Sequence, residues 1–405
     1  MSRGIAEFQP ERLVQVLAAR RLSQTQLAAM VGVSPATISK WRSAQQAPES
    51  EALERLASVV NVAPEWFTRR LPVKMSKPLF RSNASAHAAA RAMLEARLEW
   101  ANEVVIKLEE YVDLPELCLP VRQFTNIDEI SNADIEDAAL ECRNLWGLGK
   151  NEIPDLALAA ESNGVVLIRE ETGVAQIEGL SAWSKELGYP FILLSSDKGN
   201  AFRSRFDLAH EIGHLILHKH AGNELDSERY KLKESQAHSF AGALLLPAEP
   251  LADEIRLPVT LDSLLLLKQR YGISVAAIIM RLHALHLISD EEKLNLFKRR
   301  SARWGAKSEP GDDYRQPEQP RLLKRTIDLL TSSGLFTLEG VSNFFGLSAT
   351  DLEMILGLPN NYLKGKTSPV HHLATLKSKI RETRQKQHND DGSVIDFLSR
   401  KKRTI

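Results

Sequence analysis

The sequence predicts a multidomain, mainly α chain: an all-α N-terminal domain, an α+β middle with a small sheet, and a helical C-terminal region. Three observations carry this. Apolar residues recur at helical spacing through residues 8–70, as in Leu13, Val16 and Leu17 and again in Leu27, Met30 and Val31. The pattern changes near residue 164, where Val165, Val166, Leu167 and Ile168 form a β-branched run after Asn163-Gly164. The chain has 405 residues, more than one core of about 150 usually serves.

The elements follow in order. Residues 1–70 read as a compact run of short helices, with Pro48 and Pro64 marking later turns. Residues 71–113 combine a linker, with two prolines and three basic residues in 71–82, and a long helix rich in Ala, Leu, Glu and Arg over about Ala84–Tyr111. Residues 114–305 form the α+β part. A helix covers Asn132–Trp146, and two further strands cover Gly179–Ser184 and Phe191–Ser195. Helices resume from about Asn200. Residues 306–376 form the helical C-terminal domain. Residues 377–405 form a basic, flexible tail, in which Val394, Ile395, Phe397 and Leu398 could make a short docking helix.

Composition excludes several classes. An apolar fraction of 43% is enough for packed cores, so the chain is not disordered throughout. The formal net charge of zero hides an asymmetry. Residues 1–82 hold 12 Lys/Arg against 6 Asp/Glu, a local +6, and residues 377–405 hold 9 against 4, a local +5. The stretch between carries −11, so basic ends flank an acidic middle and suit contact with a polyanion from part of the molecule. Two cysteines, Cys118 and Cys142, give neither a disulfide framework nor a cysteine-based zinc site. No apolar run reaches the roughly 18 residues needed to span a bilayer, and no secretory leader is read at the N-terminus. A cytoplasmic protein without a membrane partner is expected.

Three places share one local grammar, a helix ended by Gly and another started by Ser: Gly32-Val33-Ser34, Gly272-Ile273-Ser274 and Gly346-Leu347-Ser348. In the first, Ala28 is small where two helices cross, Ser34 caps the second helix, and Pro35 suits its first position. The outward residues Ala36, Thr37, Lys40 and Arg42 are short, then basic, as expected of a helix entering a major groove. In the second, Ser274 precedes Val-Ala-Ala-Ile-Ile-Met, which is apolar on every face and reads as buried. In the third, the acids after Ser348 would repel phosphate. Both are expected to be packed helical pairs.

The strongest chemical signal is Phe206-Asp207-Leu208-Ala209-His210-Glu211-Ile212-Gly213-His214. Two histidines four apart share one helical face and can share a zinc ion, and Glu211 can deprotonate the attacking water. A catalytic zinc takes three protein ligands. Two residues compete for the third place. His220 has the spacing of longer metalloprotease motifs, but those need a helix-breaking Gly at position 217, which is Leu here. Glu234 opens Glu-Ser-Gln-Ala-His-Ser-Phe-Ala, whose small Ala237 and Ala241 would let a second helix cross the first.

Residues 9–67 resemble the Cro/C1 (XRE-type) helix–turn–helix family. The run HEIGHLILH followed by ExxAxxFAxxLLLP resembles the ImmA/IrrE family of metallopeptidases, over roughly residues 140–300. The first resemblance implies that Gln24 and Thr25 face phosphates and that Pro35, Ala36, Thr37 and Lys40 fall at base-reading positions of a double-stranded operator. The second implies a zincin-like metallopeptidase domain holding one Zn2+ per chain on His210, His214 and Glu234, with Glu211 as general base. It also implies a repressor protein as substrate, in a stress, phage or mobile-element response. A homodimer is expected if the operator is palindromic.

One departure from the family pattern is His238, which stands where Asn or Asp is usual. A role behind the metal, a role at the oxyanion and a plain satisfied histidine all stay open. Tyr230 is a candidate transition-state donor. In zinc proteases of this build an edge strand pairs with extended substrate, and Gly179, Leu180, Ser181, Ala182 and Trp183 are the candidate strand. A DNA-binding regulator whose zinc domain only senses or stabilises is the alternative reading.

Overall fold

The computed structural model describes residues 4–80, 88–173, 177–222, 226–305 and 308–364. Met1–Gly365 forms one compact unit. The basic tail, with its Val394–Leu398 segment, lies outside the described residues, as does the end of the 306–376 region.

The N-terminal helices are α1 (Pro10–Arg20), α2 (Gln24–Val31), α3 (Pro35–Arg42) and α4 (Ser50–Val60), followed by a 3-10 turn at Pro64–Thr68. The serine grammar operates as expected. Ser23 and Ser34 accept hydrogen bonds from the Gln26 and Thr37 amides and so satisfy the first turns of α2 and α3. Gly32 between them has φ 76°, a left-handed conformation costly for other residues. Leu13, Leu27 and Ile38 fill the interior of these helices.

The linker after the 3-10 turn contributes β1 (Leu79–Phe80), and the long helix follows as α5 (Ala88–Glu109). Next come α6 (Asn132–Leu145), α7 (Leu156–Ser162) and the strands β2 (Val166–Glu170), β3 (Gly179–Trp183) and β4 (Pro190–Ser195). The sheet order is β1-β3-β4-β2, with β2 parallel to β4 and the other pairs antiparallel. The sheet is covered on both faces, which explains why its strands read as apolar runs. Val166, Ile168, Leu180, Ala182, Phe191 and Leu193 join a core with α5 and the N-terminal helices. Val165, Leu167, Ile192 and Leu194 join a second core with the helices that follow. The strand period of two therefore turns Gly179 and Ser181 away from Leu180 and Ala182.

Those helices are α8 (Ala201–Leu217), α9 (Ser227–Leu245), α10 (Ala248–Glu254), α11 (Leu261–Tyr271), α12 (Val275–Ala284) and α13 (Asp290–Trp304). The chain then forms α14 (Leu322–Ser332), α15 (Leu338–Phe345) and α16 (Ala349–Ile355). Gly272 and Gly346 end α11 and α15 in the left-handed region, and Ser274 and Ser348 cap α12 and α16. The expectation of full burial after Ser274 needs one amendment, because Met280 on α12 is 53% exposed.

The C-terminal helices pack on the N-terminal ones. Asp351 on α16 accepts two hydrogen bonds of 2.6 Å from Arg20, and Arg69 donates to the Phe344 and Phe345 carbonyls at the end of α15. Arg12, fully buried, makes a bidentate pair with Glu103 of α5. The helix–turn–helix is thus fixed to α5 and α16 by charge-assisted bonds. Among the described residues no single helix is long and apolar enough to cross a membrane.

Candidate metal centre

The helix α8 carries His210, Glu211 and His214 into the interior, each at most 4% exposed. Its continuation through Leu217 keeps His210 and His214 on one face, and His220 follows the helix as an exposed residue. The crossing helix is α9. It begins at Ser227, capped by Asp226, so Glu234 sits two turns inside it rather than at its start. Close approach of the two helices rests on small residues on both sides. Ala237 and Ala241 are fully buried, and a Cβ on Gly213 would lie 3.0–3.2 Å from the Phe240 side chain.

That crossing brings three donors together. His210 Nε2 and His214 Nε2 are 3.1 Å apart. Glu234 Oε2 is 3.4 Å from His210 Nε2, and Oε1 is 3.3 Å from His214 Nε2. Tetrahedral ligands at about 2.0–2.2 Å from a zinc ion stand roughly 3.3 Å from one another, so two imidazoles and a carboxylate at these separations suit it. Glu234 Oε2 is buried without a hydrogen bond in the protein, an acceptor that a cation would satisfy. Burial alone would raise the Glu234 carboxyl, but the two imidazoles facing it hold it below the usual carboxylate range, so it is ionised. His214 is pushed down to about 4, first by burial, and is neutral near pH 7.

Glu211 lies one step round the helix. Its Oε2 accepts a 2.7 Å hydrogen bond from Ser181 Oγ on β3. A Cβ on Gly179 would stand 3.2 Å from Glu211 Oε1, so glycine leaves room for the carboxylate. The alternation of β3 supplies both neighbours, because positions 179 and 181 share a face.

Behind the histidines runs a relay. His214 Nδ1 is 2.9 Å from His218 Nδ1, and His218 Nε2 is 3.0 Å from Gln236 Oε1. Gln236 Nε2 donates to the Ile127 carbonyl at 2.8 Å. This fixes the protons. The Gln236 oxygen must accept from His218 Nε2–H, which leaves His218 Nδ1 to accept from His214 Nδ1–H. The bare nitrogen of His214 is then Nε2, aimed at Glu234 and His210. Burial pushes His218 well below its ordinary value, in keeping with a neutral ring.

Residues 160–283 match the IrrE N-terminal-like domain family, and residues 13–67 match the helix-turn-helix family. The chain thus combines a helix-turn-helix domain with an IrrE N-terminal-like domain. A comparison with curated proteins found no match. In the IrrE-like domain, His238 lies one turn beyond Glu234. Its ring is 4.4 Å from that of His210, and its Nδ1 is 2.6 Å from the Glu234 carbonyl. With Phe206, Ser239, Met280 and Phe297 it lines a cavity of about 1000 Å³. Tyr230 is half-buried in the first turn of α9, one turn before Glu234. Lys233 is 2% exposed and its Nζ has no hydrogen bond. Burial pushes it down to about 8.

In the helix-turn-helix domain, Thr25, Pro35, Ala36 and Lys40 are exposed. Gln24 is half-buried, with the Arg42 Nε 3.2 Å from its amide. Thr37 Oγ1 is 2.9 Å from the capping Ser34 hydroxyl. The candidate substrate strand Gly179–Trp183 is β3. It faces α8 as required, but it is not a free edge, because β1 pairs with its outer side.

Sequence reasoning missed Ser181 as the partner of Glu211, and Gln236 as the end of the relay. The spacing of His218, four beyond His214, was the only sign of the relay in the sequence.

Proposed function

We propose that the chain is a DNA-binding regulator whose IrrE-like domain is a zinc endopeptidase that cleaves a partner repressor or a second copy of itself. His210, His214 and Glu234 would hold one zinc ion. Zinc bound there supplies Lewis acidity to the scissile carbonyl. Glu211 takes a proton from the attacking water and delivers it to the leaving amine. Ser181 keeps the Glu211 carboxylate oriented toward the triad. The cavity beside His238 offers room for a substrate side chain.

The observation that carries this reading is the buried Glu211 carboxylate, next to His210 on α8 and hydrogen-bonded by Ser181. A purely structural zinc site needs no such base. The exposed, basic second helix of the helix-turn-helix supports operator binding, with Pro35, Ala36 and Lys40 facing outward, and a dimer would match a palindromic site.

The test is to incubate zinc-loaded protein with the repressors encoded beside it, with and without DNA, and to analyse fragments by mass spectrometry. Wild type should cut, and Glu211→Gln should lose about 10²–10⁴-fold in rate while keeping its zinc. Equal cleavage by the two would remove Glu211 from the mechanism. No cleavage by wild type under any condition would favour a sensor.

A further inference from the structure

The outer edge of β3 is the place where an extended substrate would add a strand beside Glu211, and the linker of this same chain already lies on it. Ser76 N–H donates to the Trp183 carbonyl at 2.8 Å, and Ser76 Oγ accepts from Trp183 N–H at 2.8 Å. Leu79 then stands opposite Ser181 and Phe80 opposite Leu180, antiparallel. Ser181 is the residue that holds Glu211. The linker therefore satisfies the backbone groups that a peptide would need.

Its hold extends beyond the strand. The Met75 amide donates to Glu99 of α5 at 3.0 Å, and the Val73 amide donates to Glu186 at 3.2 Å. Met75 is buried. Ser76 and Lys77 line, with His214, His218 and Trp183, a crevice of only about 50 Å³.

The segment is also shaped as an occupant rather than as a regular substrate strand. Ser76 and Leu79 are three residues apart, whereas their partners Trp183 and Ser181 are two apart. One extra residue must bulge at Lys77-Pro78, opposite Ala182. Pro78 has no N–H to give to the ladder, so it can sit there without leaving a donor unpaired.

We propose that residues 76–80 are a built-in occupant of the substrate-strand edge, and that the site accepts an extended peptide only when this linker leaves β3. The proposal rests on the peptidase reading for what the edge is used for, but its test needs neither zinc nor cleavage. Because the linker ties the helix-turn-helix domain to α5, whatever moves that domain on DNA or on a partner has a direct route to the peptide edge.

The experiment uses the full chain with Glu211→Gln, so that no probe is cut, and a fluorescein-labelled peptide of residues 73–80 read by anisotropy. Ser76→Pro removes both the N–H and the hydroxyl that bind Trp183. It should tighten peptide binding about tenfold or more, since a site masked most of the time loses affinity in proportion. Ser76→Ala keeps the N–H and should fall between. Hydrogen exchange supplies the second readout: the Ser76 and Trp183 amides should be protected in the parent, and the Trp183 amide should exchange fast in Ser76→Pro. If that amide stays protected, a chain with residues 76–80 replaced by Gly-Gly-Ser-Gly-Gly is judged by the same criterion. A freed edge that binds the peptide no more tightly than the parent overturns the proposal. Tighter binding together with no cleavage by any zinc-loaded form would instead remove the peptidase reading and leave the masked peptide edge standing.

Discussion

Replacing His218 with leucine should weaken zinc binding by about 10- to 100-fold. The magnitude follows from the relay. His218 is 2% exposed and accepts from His214 Nδ1–H at 2.9 Å while donating to Gln236 at 3.0 Å. Leucine fills similar space but leaves the His214 N–H without an acceptor, which costs about 1–3 kcal/mol when buried. The ring is then free to turn or change tautomer, and Nε2 is no longer held as the bare nitrogen. One to two decades in affinity correspond to about 1.4–2.8 kcal/mol, the same range. Competition against a chromophoric chelator at pH 7.5 measures it. Gln236→Leu is the companion, because it leaves the His218 Nε2–H without its acceptor and should weaken zinc binding in the same direction. An unchanged zinc affinity in His218→Leu would refute the relay.

Glu234→Ala should lower zinc affinity by an order of magnitude or more, whereas His220→Ala should leave it unchanged; the same chelator competition tests both. Lys40→Ala in the full chain should weaken operator binding by about 1 kcal/mol or more if Lys40 meets a base edge, and binding of either form should fall steeply with salt. Filter binding at several salt concentrations reads both effects, and an unaffected Lys40→Ala would move recognition elsewhere. Acid should destabilise the metal-free chain. His214 titrates at about 4 when folded and near 6.5 when unfolded, so the unfolded state binds more protons in that window and stability drops as pH falls through it. Between pH 7 and 5 this group alone contributes a loss of about 2 kcal/mol. A metal-free urea midpoint unchanged between those pH values would contradict this.

How much of this was legible in the sequence differs by element. The pair His210 and His214 was readable because helical spacing alone puts them on one face, and the flanking Leu208 and Ile212 marked the helix as buried. The helix that carries Glu234 was readable only from its apolar end. Its first two turns, Ser227–Lys233, are mostly charged or polar and show no apolar period, so the start at Ser227 went unseen. The serine caps at Ser34, Ser274 and Ser348 were legible because capping is local. The acids after Ser348 argued against a DNA reader, and Asp351 instead binds Arg20, 331 residues away in sequence. The partners of the site were not legible for the same reason of distance. Ser181 meets Glu211 across 30 residues, and Gln236 meets His218 across 18. A two-residue strand inside a proline-bearing linker gives no pattern at all, so the strand predicted as an open edge turned out to be covered.

X-ray absorption on the zinc-loaded chain tests the central claim most directly, because it separates a catalytic site from a closed structural one. The account predicts one zinc per chain bound by two imidazole nitrogens at about 2.0–2.1 Å and a carboxylate oxygen at about 2.0–2.2 Å, with a further oxygen from solvent. In Glu234→Ala the carboxylate signal should be lost. A shell closed by four protein ligands, or one with three imidazoles and no carboxylate, would contradict it.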